Sequence, residues 1–327
     1  MCVEPRPLWD SCHRTLTLSH LARSYLQVLR VYNNGQNTER VQFEHAVLQQ
    51  LSRKAGHLLS FELPVALPAP GADSSGFIKL SSGDSAALFK LISGVLPKVS
   101  CARAMGRACG ELTTAMALVD VAPLVSPTAP YWDIYRVHRA VTRDSFHATV
   151  AGGAFDDPTV REATTYLLGE LHRIEASIDA WKGSGLPSQL IHGDAHGDNI
   201  LVSSQDDAGV VTGVLDFEFT ATDFRAMELA ITLSKYVSLP EPLPFLTEMC
   251  RGFAEKARLT DAEIQALPEL ITLRVVSNVV YFVGRALSGE DSITSLTSRI
   301  ADYAKRVRWI NANGAALISI LRQAYVQ

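Results

Sequence analysis

The spacing of hydrophobic and polar positions changes once along the chain, near residue 94. Before it, short apolar segments at 25–32, 76–80 and 86–92 are rich in β-branched and aromatic residues and are bounded by turn residues such as Asn, Gly and Ser. The segment 38–51 instead carries apolar residues at helical spacing. The first third of the chain is therefore predicted to form a small β-sheet packed against one helix.

After residue 94 the apolar positions recur mainly with a helical period. The predicted helices cover residues 100–119, 130–149, 158–181, 223–237, 243–257, 261–287 and 293–325. The longest apolar run, near 273–287, is interrupted by Arg274, Ser277, Asn278 and Arg285. A membrane span needs about 18 uninterrupted apolar residues, so we predict a buried helix and no membrane partner.

One strand-rich segment interrupts these helices. Strands are predicted at 189–191, 199–202 and 210–217, with a polar loop after the first strand and a turn rich in Ser and Asp after the second. We therefore predict an α+β protein with two lobes. The N-terminal lobe holds a small mixed sheet, and the larger C-terminal lobe is mainly helical.

Composition excludes several classes of function. The 327 residues are 47% hydrophobic and 20% charged, which is typical of a globular protein. The formal net charge of −4 gives no basic surface for neutralising the phosphates of a nucleic acid. A small molecule is thus the expected partner, and the composition does not indicate an oligomeric state.

The five cysteines are scattered and never spaced as C-x-x-C. They therefore indicate neither a disulfide framework nor a zinc site, and they fit a reducing compartment. The first 25 residues lack the apolar core of a secretory signal. We expect a cytoplasmic protein.

Ionisable residues concentrate in the strand-rich segment, as HGDAHGDN at 192–199 and DFE at 216–218. Phosphoryl transfer needs one carboxylate to orient the acceptor hydroxyl, and a second carboxylate with an amide oxygen to hold Mg²⁺. Asp194, Asn199 and Asp216 supply these groups and can face one cleft. Zinc bound by His192 and His196 would require a helix, whereas Gly193 and Gly197 indicate a loop.

These two motifs resemble the aminoglycoside phosphotransferase and choline kinase superfamily, whose H-G-D-x-H-x-x-N loop is followed by D-x-E or D-x-D. The resemblance implies a protein-kinase-like fold, ATP and Mg²⁺ as cofactors, Asp194 as the catalytic carboxylate, and Asn199 and Asp216 as the metal ligands. His192 and His196 would brace the loop. Glu218 stands where protein kinases have a glycine, and could contact a second metal or the acceptor.

The same resemblance implies roles in the N-terminal lobe. Arg30 would bind the ATP phosphates and pair with Glu44, while Leu91 and Ile92 lie in the segment whose backbone would hold adenine. The implied domains are a nucleotide-binding lobe at 1–92, a hinge at 93–98 and a catalytic lobe at 99–327. No glycine precedes Gly35, so the glycine-rich hairpin that normally covers the phosphates is expected to be absent or strongly altered.

The acceptor is the least constrained part of the prediction. The strand around Arg30 and the helix that follows resemble homoserine kinase-like proteins. For a hydroxy amino acid, candidate contacts are Glu228, Tyr281 and Arg285, with Glu290 and Asp291 near them. The arginines of the last two helices, Arg274, Arg285, Arg299, Arg306 and Arg308, are expected to be solvated, with one or two reaching the acceptor.

Other activities remain open at this point. The acceptor could instead be an amino alcohol, a sugar or an aminoglycoside. A non-catalytic pseudokinase would fit the altered hairpin, although the intact Asp194, Asn199 and Asp216 argue against it. A metal-dependent hydrolase built on the His and Asp cluster would act without a nucleotide.

Overall fold

An antiparallel sheet forms the N-terminal lobe. The computed structural model describes residues 3–4, 13–18, 27–32, 37–68, 76–120, 122, 125–155, 157–206 and 209–326. The strands of this sheet are β1 (Val3–Glu4), β2 (His13–Leu18), β3 (Gln27–Tyr32), β4 (Ile78–Lys79) and β5 (Ser85–Lys90). Their order is β1-β2-β3-β5-β4, and every neighbouring pair is antiparallel, so the described sheet is not the mixed sheet that the sequence analysis predicted.

The sheet is more complete than the glycine-free N-terminus led us to expect. Strand β2 pairs with β3 along its whole length, from His13 opposite Tyr32 to Leu18 opposite Gln27. Two strands therefore precede β3, and an antiparallel hairpin is present. Its connecting residues, 19–26, lie outside the described residues.

Helix α1 (Glu39–Ala55) packs in the same lobe and confirms the helix predicted at 38–51. The ring of His45 on α1 lies about 6 Å from those of Tyr32, Phe77 and Phe89, and its Nε2 is 2.8 Å from the hydroxyl of Tyr32. This buried histidine has its polar partner within the core, as buried polar groups require. It is a structural residue of the lobe.

Seven helices form most of the described C-terminal lobe: α2 (Ala102–Met116), α3 (Arg143–Thr149), α4 (Pro158–Ser184), α5 (Met227–Ser234), α6 (Pro242–Ala254), α7 (Asp261–Leu287) and α8 (Ile293–Ala324). Helix α7 is central, because α4, α5 and α8 all pack against it. By length and composition α7 could cross a membrane, but 67% of its most apolar window is buried inside the protein. It is the core helix predicted from the sequence.

Two predicted helices are shorter than their periodicity suggested. In 130–149 the structure has only a 3₁₀ turn, Ile134–Arg136, and α3. The chain breaks because Thr142 is extended and its side chain caps α3 by accepting from the Ser145 N–H. The segment predicted as helix from 223 begins instead as a strand, and α5 starts at Met227.

Four short strands form the predicted strand-rich segment: β6 (Ser188–Ile191), β7 (Ile200–Val202), β8 (Val211–Val214) and β9 (Ala221–Phe224). Strand β6 pairs with β9, and β7 pairs with β8. The polar loop 192–199 therefore leaves one two-stranded sheet and enters the other. This arrangement brings the loop next to residues 215–220, which connect β8 to β9.

Helices α2 and α6 approach each other closely through glycine. A methyl group built at Gly106 of α2 would lie 2.0 Å from the carbonyl oxygen of Met249, and one built at Gly252 of α6 would lie 2.0 Å from that of Arg103. Both contacts are with backbone atoms, which a side-chain rotation cannot move. The helices must therefore separate if either glycine gains a side chain.

We predict that Gly106→Ala lowers the free energy of unfolding by at least about 1–3 kcal/mol, the usual cost of overpacking. The matched control is Gly169→Ala in α4, where a methyl group would have no neighbour within 4 Å. That change should stabilise the protein by about 0.5–1 kcal/mol through helix propensity alone. Urea denaturation of both variants checks this, and equal midpoints would contradict the close approach.

Candidate active site

The loop 192–199 has one fixed backbone contact near its start. Gly193 has φ +80°, a conformation that glycine adopts at little cost. A methyl group built there would lie 2.4 Å from the carbonyl oxygen of Phe219. The loop thus rests directly on the backbone of the β8–β9 connection, and Gly193 permits the contact.

His192 links the loop to the end of β8. Its Nε2 lies 2.9 Å from the carbonyl oxygen of Leu215, and its Nδ1 lies 3.1 Å from the backbone N–H of Asp194. An N–H at Nε2 and a lone pair at Nδ1 satisfy both contacts, so the ring is neutral. Burial lowers the pKa of His192 to about 4, which is consistent with this form. The position suits the bracing role predicted for His192.

Glu228 anchors the loop from beneath. It lies on α5 with no exposed surface, and its Oε2 accepts a hydrogen bond of 2.5 Å from the backbone N–H of His192. Burial raises the pKa of Glu228 to about 8, although the backbone N–H groups of His192 and Gly193 act in the opposite direction. The prediction that Glu228 contacts the acceptor therefore does not fit the structure, because its side chain is enclosed by the core.

Asp223 supports the loop through Tyr131. Its Oδ2 accepts a hydrogen bond of 2.5 Å from the backbone N–H of Tyr131, and the Tyr131 hydroxyl donates to the carbonyl oxygen of Gly193 at 2.8 Å. Asp223 lies in β9 and is fully buried. Helix α5 begins only at Met227, so Asp223 belongs to the strand and not to the helix.

Asp194 is surrounded by hydrogen-bond donors. Its Oδ1 lies 2.8 Å from Nη2 of Arg274 and 3.3 Å from Nε2 of His196, and its Oδ2 accepts from Nδ2 of Asn199 at 2.9 Å. Burial alone would raise the pKa of Asp194, but His196 and Arg274 outweigh it and lower the pKa to about 2. Asp194 is thus an oriented carboxylate that stays ionised.

Arg274, one of the five arginines of which one or two were expected to reach the acceptor, makes a contact with Asp194 that the sequence analysis did not predict. Besides its bond to Asp194, it donates through Nη1 to Asn278 on the next turn of α7, and its guanidinium lies 4.9 Å from the centre of the Tyr131 ring. Its side chain is only 15% exposed. The available signal was the row of polar residues that interrupts the apolar α7 at helical spacing.

Asn199 and Asp216 are joined by a backbone contact. The carbonyl oxygen of Asn199 accepts from the N–H of Leu215 at 2.8 Å, which sets the position of the next residue, Asp216. Asp216 has φ +63° and ψ +72°, a left-handed conformation that is uncommon for a residue with a side chain. Such conformations concentrate at functional sites, where the surrounding structure holds them.

Arg30 connects the two lobes. Its Nη1 lies 2.8 Å from Oε1 of Glu44 on α1, and its Nη2 lies 2.9 Å from Oδ1 of Asp216. Arg30 also lies over the ring of Tyr32, 4.8 Å from its centre. The structure thus brings Arg30 together with both the predicted partner, Glu44, and the predicted metal ligand, Asp216.

The charge around Asp216 favours a bound cation. Burial raises the pKa of Asp216 above its ordinary value; Arg30 lowers it, and the nearby carboxylates of Glu218 and Glu44 raise it further. A divalent cation would offset this excess of negative charge. The Asp216 carboxylate and the Asn199 amide oxygen are hard oxygen donors of the kind Mg²⁺ prefers, so the residues fit this metal.

The predicted hinge is fastened to β7. Val95 and Val202 exchange two backbone hydrogen bonds of 2.9 Å. Ile92 is buried, and a methyl group built at Gly213 of β8 would lie 2.6 Å from its Cγ2. Leu91 precedes it and is half-buried. Leu91 and Ile92 thus lie between the end of β5 and the strands beside the loop.

A cleft of about 660 Å³ opens on Asp194 and His196. One wall is a face of α7, formed by Arg274, Ser277, Asn278, Tyr281, Phe282 and Arg285. A second wall comes from α8, with Ser298, Arg299, Asp302, Tyr303 and Arg306. The spacing of three or four residues within each set places it on one side of its helix. The cleft is polar and aromatic, and basic residues are numerous.

The arginines differ from the sequence expectation. Four of the five, Arg274, Arg285, Arg299 and Arg306, line the cleft, whereas Arg308 pairs with Glu162 on α4. The prediction that these arginines lie on solvated faces of α7 and α8 is therefore wrong for four of them, because the two faces enclose the cleft. Tyr281 and Arg285, which were predicted to contact the acceptor, also line the cleft, but Arg285 is already paired with Asp291 at 2.5 Å and Glu290 at 3.4 Å.

Comparison with known sequences identifies relatives of this chain. The sequence profile of the phosphotransferase enzyme family matches residues 20–264. A homoserine kinase of Acidiphilium cryptum is 29% identical over 219 residues, which cover 65% of this chain and 62% of that protein. A homoserine kinase of Gluconobacter oxydans is 28% identical over 62% of this chain and 60% of its own length. The match thus spans less than two thirds of these relatives.

Solved structures share the fold. A microcompartment-associated aminopropanol kinase superposes with a TM-score of 0.66 at 16% identity, covering 96% of this chain and 94% of its own. An amicoumacin kinase in complex with AMP-PNP and Ca²⁺ superposes with a TM-score of 0.66 at 13% identity, covering 93% of this chain and 87% of its own. The predicted protein-kinase-like fold, with a small sheet and a mainly helical remainder, is confirmed.

The buried carboxyl of Glu228 yields a prediction about pH. Its pKa of about 8 in the folded protein exceeds the ordinary value of 4.5, so the folded state retains a proton that the unfolded state loses. This group must therefore cost stability as pH rises between those values. Glu228→Gln keeps an acceptor for the His192 N–H and cannot ionise.

We expect the wild type to lose stability relative to Glu228→Gln by up to about 1.4 kcal/mol per pH unit within that range. Urea denaturation of both proteins from pH 5 to pH 8 measures the difference and cancels every other titrating group. A difference that stays constant with pH would show that Glu228 is ionised throughout.

Proposed function

Because the chain belongs to the phosphotransferase enzyme family, we propose that it is a small-molecule kinase that transfers the γ-phosphoryl group of ATP to an acceptor hydroxyl, with Mg²⁺ as cofactor. The observation that carries this proposal is the arrangement of Asp194, Asn199 and Asp216. Asp194 faces a cleft large enough for an acceptor, while Asp216 faces Arg30 from the nucleotide lobe. The acceptor and nucleotide sides thus meet at one loop.

Asp194 orients the acceptor in this proposal. A carboxylate whose pKa is about 2 is a weak base in the ground state. In the loose transition state of phosphoryl transfer, the hydroxyl becomes acidic only as the bond to phosphorus forms. Asp194 would therefore accept a hydrogen bond first and the proton late. Arg274 and His196 hold Oδ1, and Asn199 holds Oδ2, so the carboxylate cannot rotate freely.

Asn199 and Asp216 would hold the metal, and bound Mg²⁺ would offset the charge of the phosphates. Arg30 would supply guanidinium donors to the same phosphates, and Glu44 would keep the guanidinium in place. The backbone at Leu91 and Ile92 would hold adenine. Glu218 adds negative charge beside Asp216 and supports cation binding there.

We propose a hydroxy amino acid such as homoserine as the acceptor. The similarity to homoserine kinases supports this choice. The cleft supports it independently, because five Lys and Arg side chains line it against three Asp side chains. A polycationic aminoglycoside, or choline, would require a mainly acidic or aromatic cleft. An amino alcohol lacks the carboxylate that these cations could bind.

An acceptor screen tests the proposal. Consumption of ATP is measured with amino acids, amino alcohols, sugars and aminoglycosides, each with and without Mg²⁺. We expect turnover with L-homoserine and none without Mg²⁺. Hydrolysis of phosphate esters without a nucleotide would indicate the hydrolase alternative, and nucleotide binding without turnover on any acceptor would indicate a pseudokinase.

Removal of the Asp194 carboxylate gives a sharp prediction. Asp194→Asn should lower kcat by about 10²- to 10⁴-fold, the usual contribution of a positioned acid or base, and leave Mg·ATP affinity unchanged. Asp198→Asn is the matched control, because Asp198 lies on the same loop with a 64% exposed side chain paired to Lys235. Steady-state kinetics with calorimetry distinguishes them. Turnover of Asp194→Asn within a few-fold of wild type would contradict the assignment of Asp194 as the catalytic carboxylate.

A second prediction concerns the phosphates. No glycine precedes Gly35, so the backbone before this residue cannot readily approach the ATP phosphates. Arg30 must therefore offset much of the negative charge of the phosphates. We expect a KM for ATP near about 1 mM. Arg30→Ala should abolish nearly all activity, and Arg30→Lys should restore part of it. The exposed Arg40 provides the control Arg40→Ala. A micromolar KM that Arg30→Ala leaves unchanged would contradict this account.

A further inference from the structure

The basic side chains of the cleft differ in whether they form an ion pair with a carboxylate. Four of them already have a carboxylate partner: Arg274 has Asp194, Arg285 has Asp291, Arg306 has Asp302, and Lys235 has Asp198. Arg299, on α8, is exposed to the cleft and forms no ion pair within 4.0 Å with a carboxylate among the residues that the structure describes. Its positive charge is thus the one in this wall that no described acidic side chain offsets.

Arg299 is also held in position. Its guanidinium lies over the ring of Phe282 on α7, 4.3 Å from the ring centre. A cation–π contact of this kind uses the face of the guanidinium and leaves the N–H groups at its edge to donate hydrogen bonds. Two parallel N–H groups fit the two oxygens of a carboxylate.

Tyr303 adds a hydroxyl to the same place. It lies one turn further along α8 and is buried in the cleft wall. Burial raises the pKa of Tyr303, while Arg299 acts in the opposite direction through its charge and a side-chain hydrogen bond, and the charges of Arg274 and Arg306 add to this. Tyr303, Arg299 and Arg274 line the same cleft, and Arg274 contacts Asp194.

We propose that Arg299, together with Tyr303, binds the carboxylate of the acceptor and determines the preference of this kinase for acceptors that carry a carboxylate. This inference rests on the proposed function, since it assigns one end of the acceptor that Asp194 orients at the other. Arg285, which the sequence suggested for this role, is less suited because two acidic side chains already neutralise it.

The test compares two acceptors that differ only in the carboxylate, L-homoserine and 3-aminopropan-1-ol. Arg299→Met should raise the KM for L-homoserine about 10- to 100-fold, the loss expected for a charged hydrogen-bonded pair, with a much smaller change in kcat. The kinetics with 3-aminopropan-1-ol should not change. Arg299→Lys should retain part of the affinity.

Arg308→Met is the matched control. It removes the same charge from the same helix, but Arg308 pairs with Glu162 outside the cleft. It should keep the wild-type preference for L-homoserine. An Arg299→Met variant that affects both acceptors equally, or that affects L-homoserine no more than Arg308→Met does, would overturn the inference.

A binding measurement separates this inference from the proposed activity. L-2-aminobutyrate is homoserine without its hydroxyl, and propylamine is the same molecule without its carboxylate as well. By calorimetry, wild type and Arg308→Met should bind L-2-aminobutyrate more tightly than propylamine, and Arg299→Met should bind both equally. This result supports the carboxylate subsite even if wild type phosphorylates neither acceptor, whereas equal binding by wild type would overturn it.

Discussion

Charge balance around a group of enclosed carboxylates is the constraint on which this structure depends. Asp194 and Asp216 lie close enough to influence each other, and Glu44 and Glu218 add further negative charge. Carboxylates inside a protein must be paired or protonated, because leaving an isolated charge there costs too much. Arg274 compensates Asp194 from α7, and Arg30 compensates Asp216 from β3. The two lobes are joined by the second of these contacts.

The compensation of Asp194 and Asp216 is unequal, and this difference supports the roles proposed for them. Donors occupy both oxygens of Asp194 and lower its pKa to about 2, which gives a fixed carboxylate facing the acceptor cleft. Burial raises the pKa of Asp216 above its ordinary value despite the ion pair with Arg30, so the negative charge around Asp216 is not fully offset by the protein.

The sequence predicted local features well and long-range pairing poorly. The motif at 192–199 and the bounds of α7 follow from spacing and periodicity, because both are local. The break in 130–149 depends on one cap at Thr142, which the periodicity of the segment conceals. The sequence did not identify which of the five arginines reach the cleft, because the partners of Arg274 and Arg299 lie 80 residues away in the chain or on a neighbouring helix. Glu228 was predicted to contact the acceptor but is buried, because its burial depends on the packing of the whole C-terminal lobe.

Phosphorus-31 NMR tests the central claim, phosphoryl transfer from ATP to a small-molecule hydroxyl, most directly. Protein, Mg·ATP and L-homoserine are incubated together, and the phosphorus signals are followed with proton coupling retained. The account predicts a phosphate monoester signal, split into a triplet by the adjacent CH₂ group, that grows in step with ADP. Growth of inorganic phosphate alone, or no change in the ATP signals with any acceptor of the screen, would contradict it.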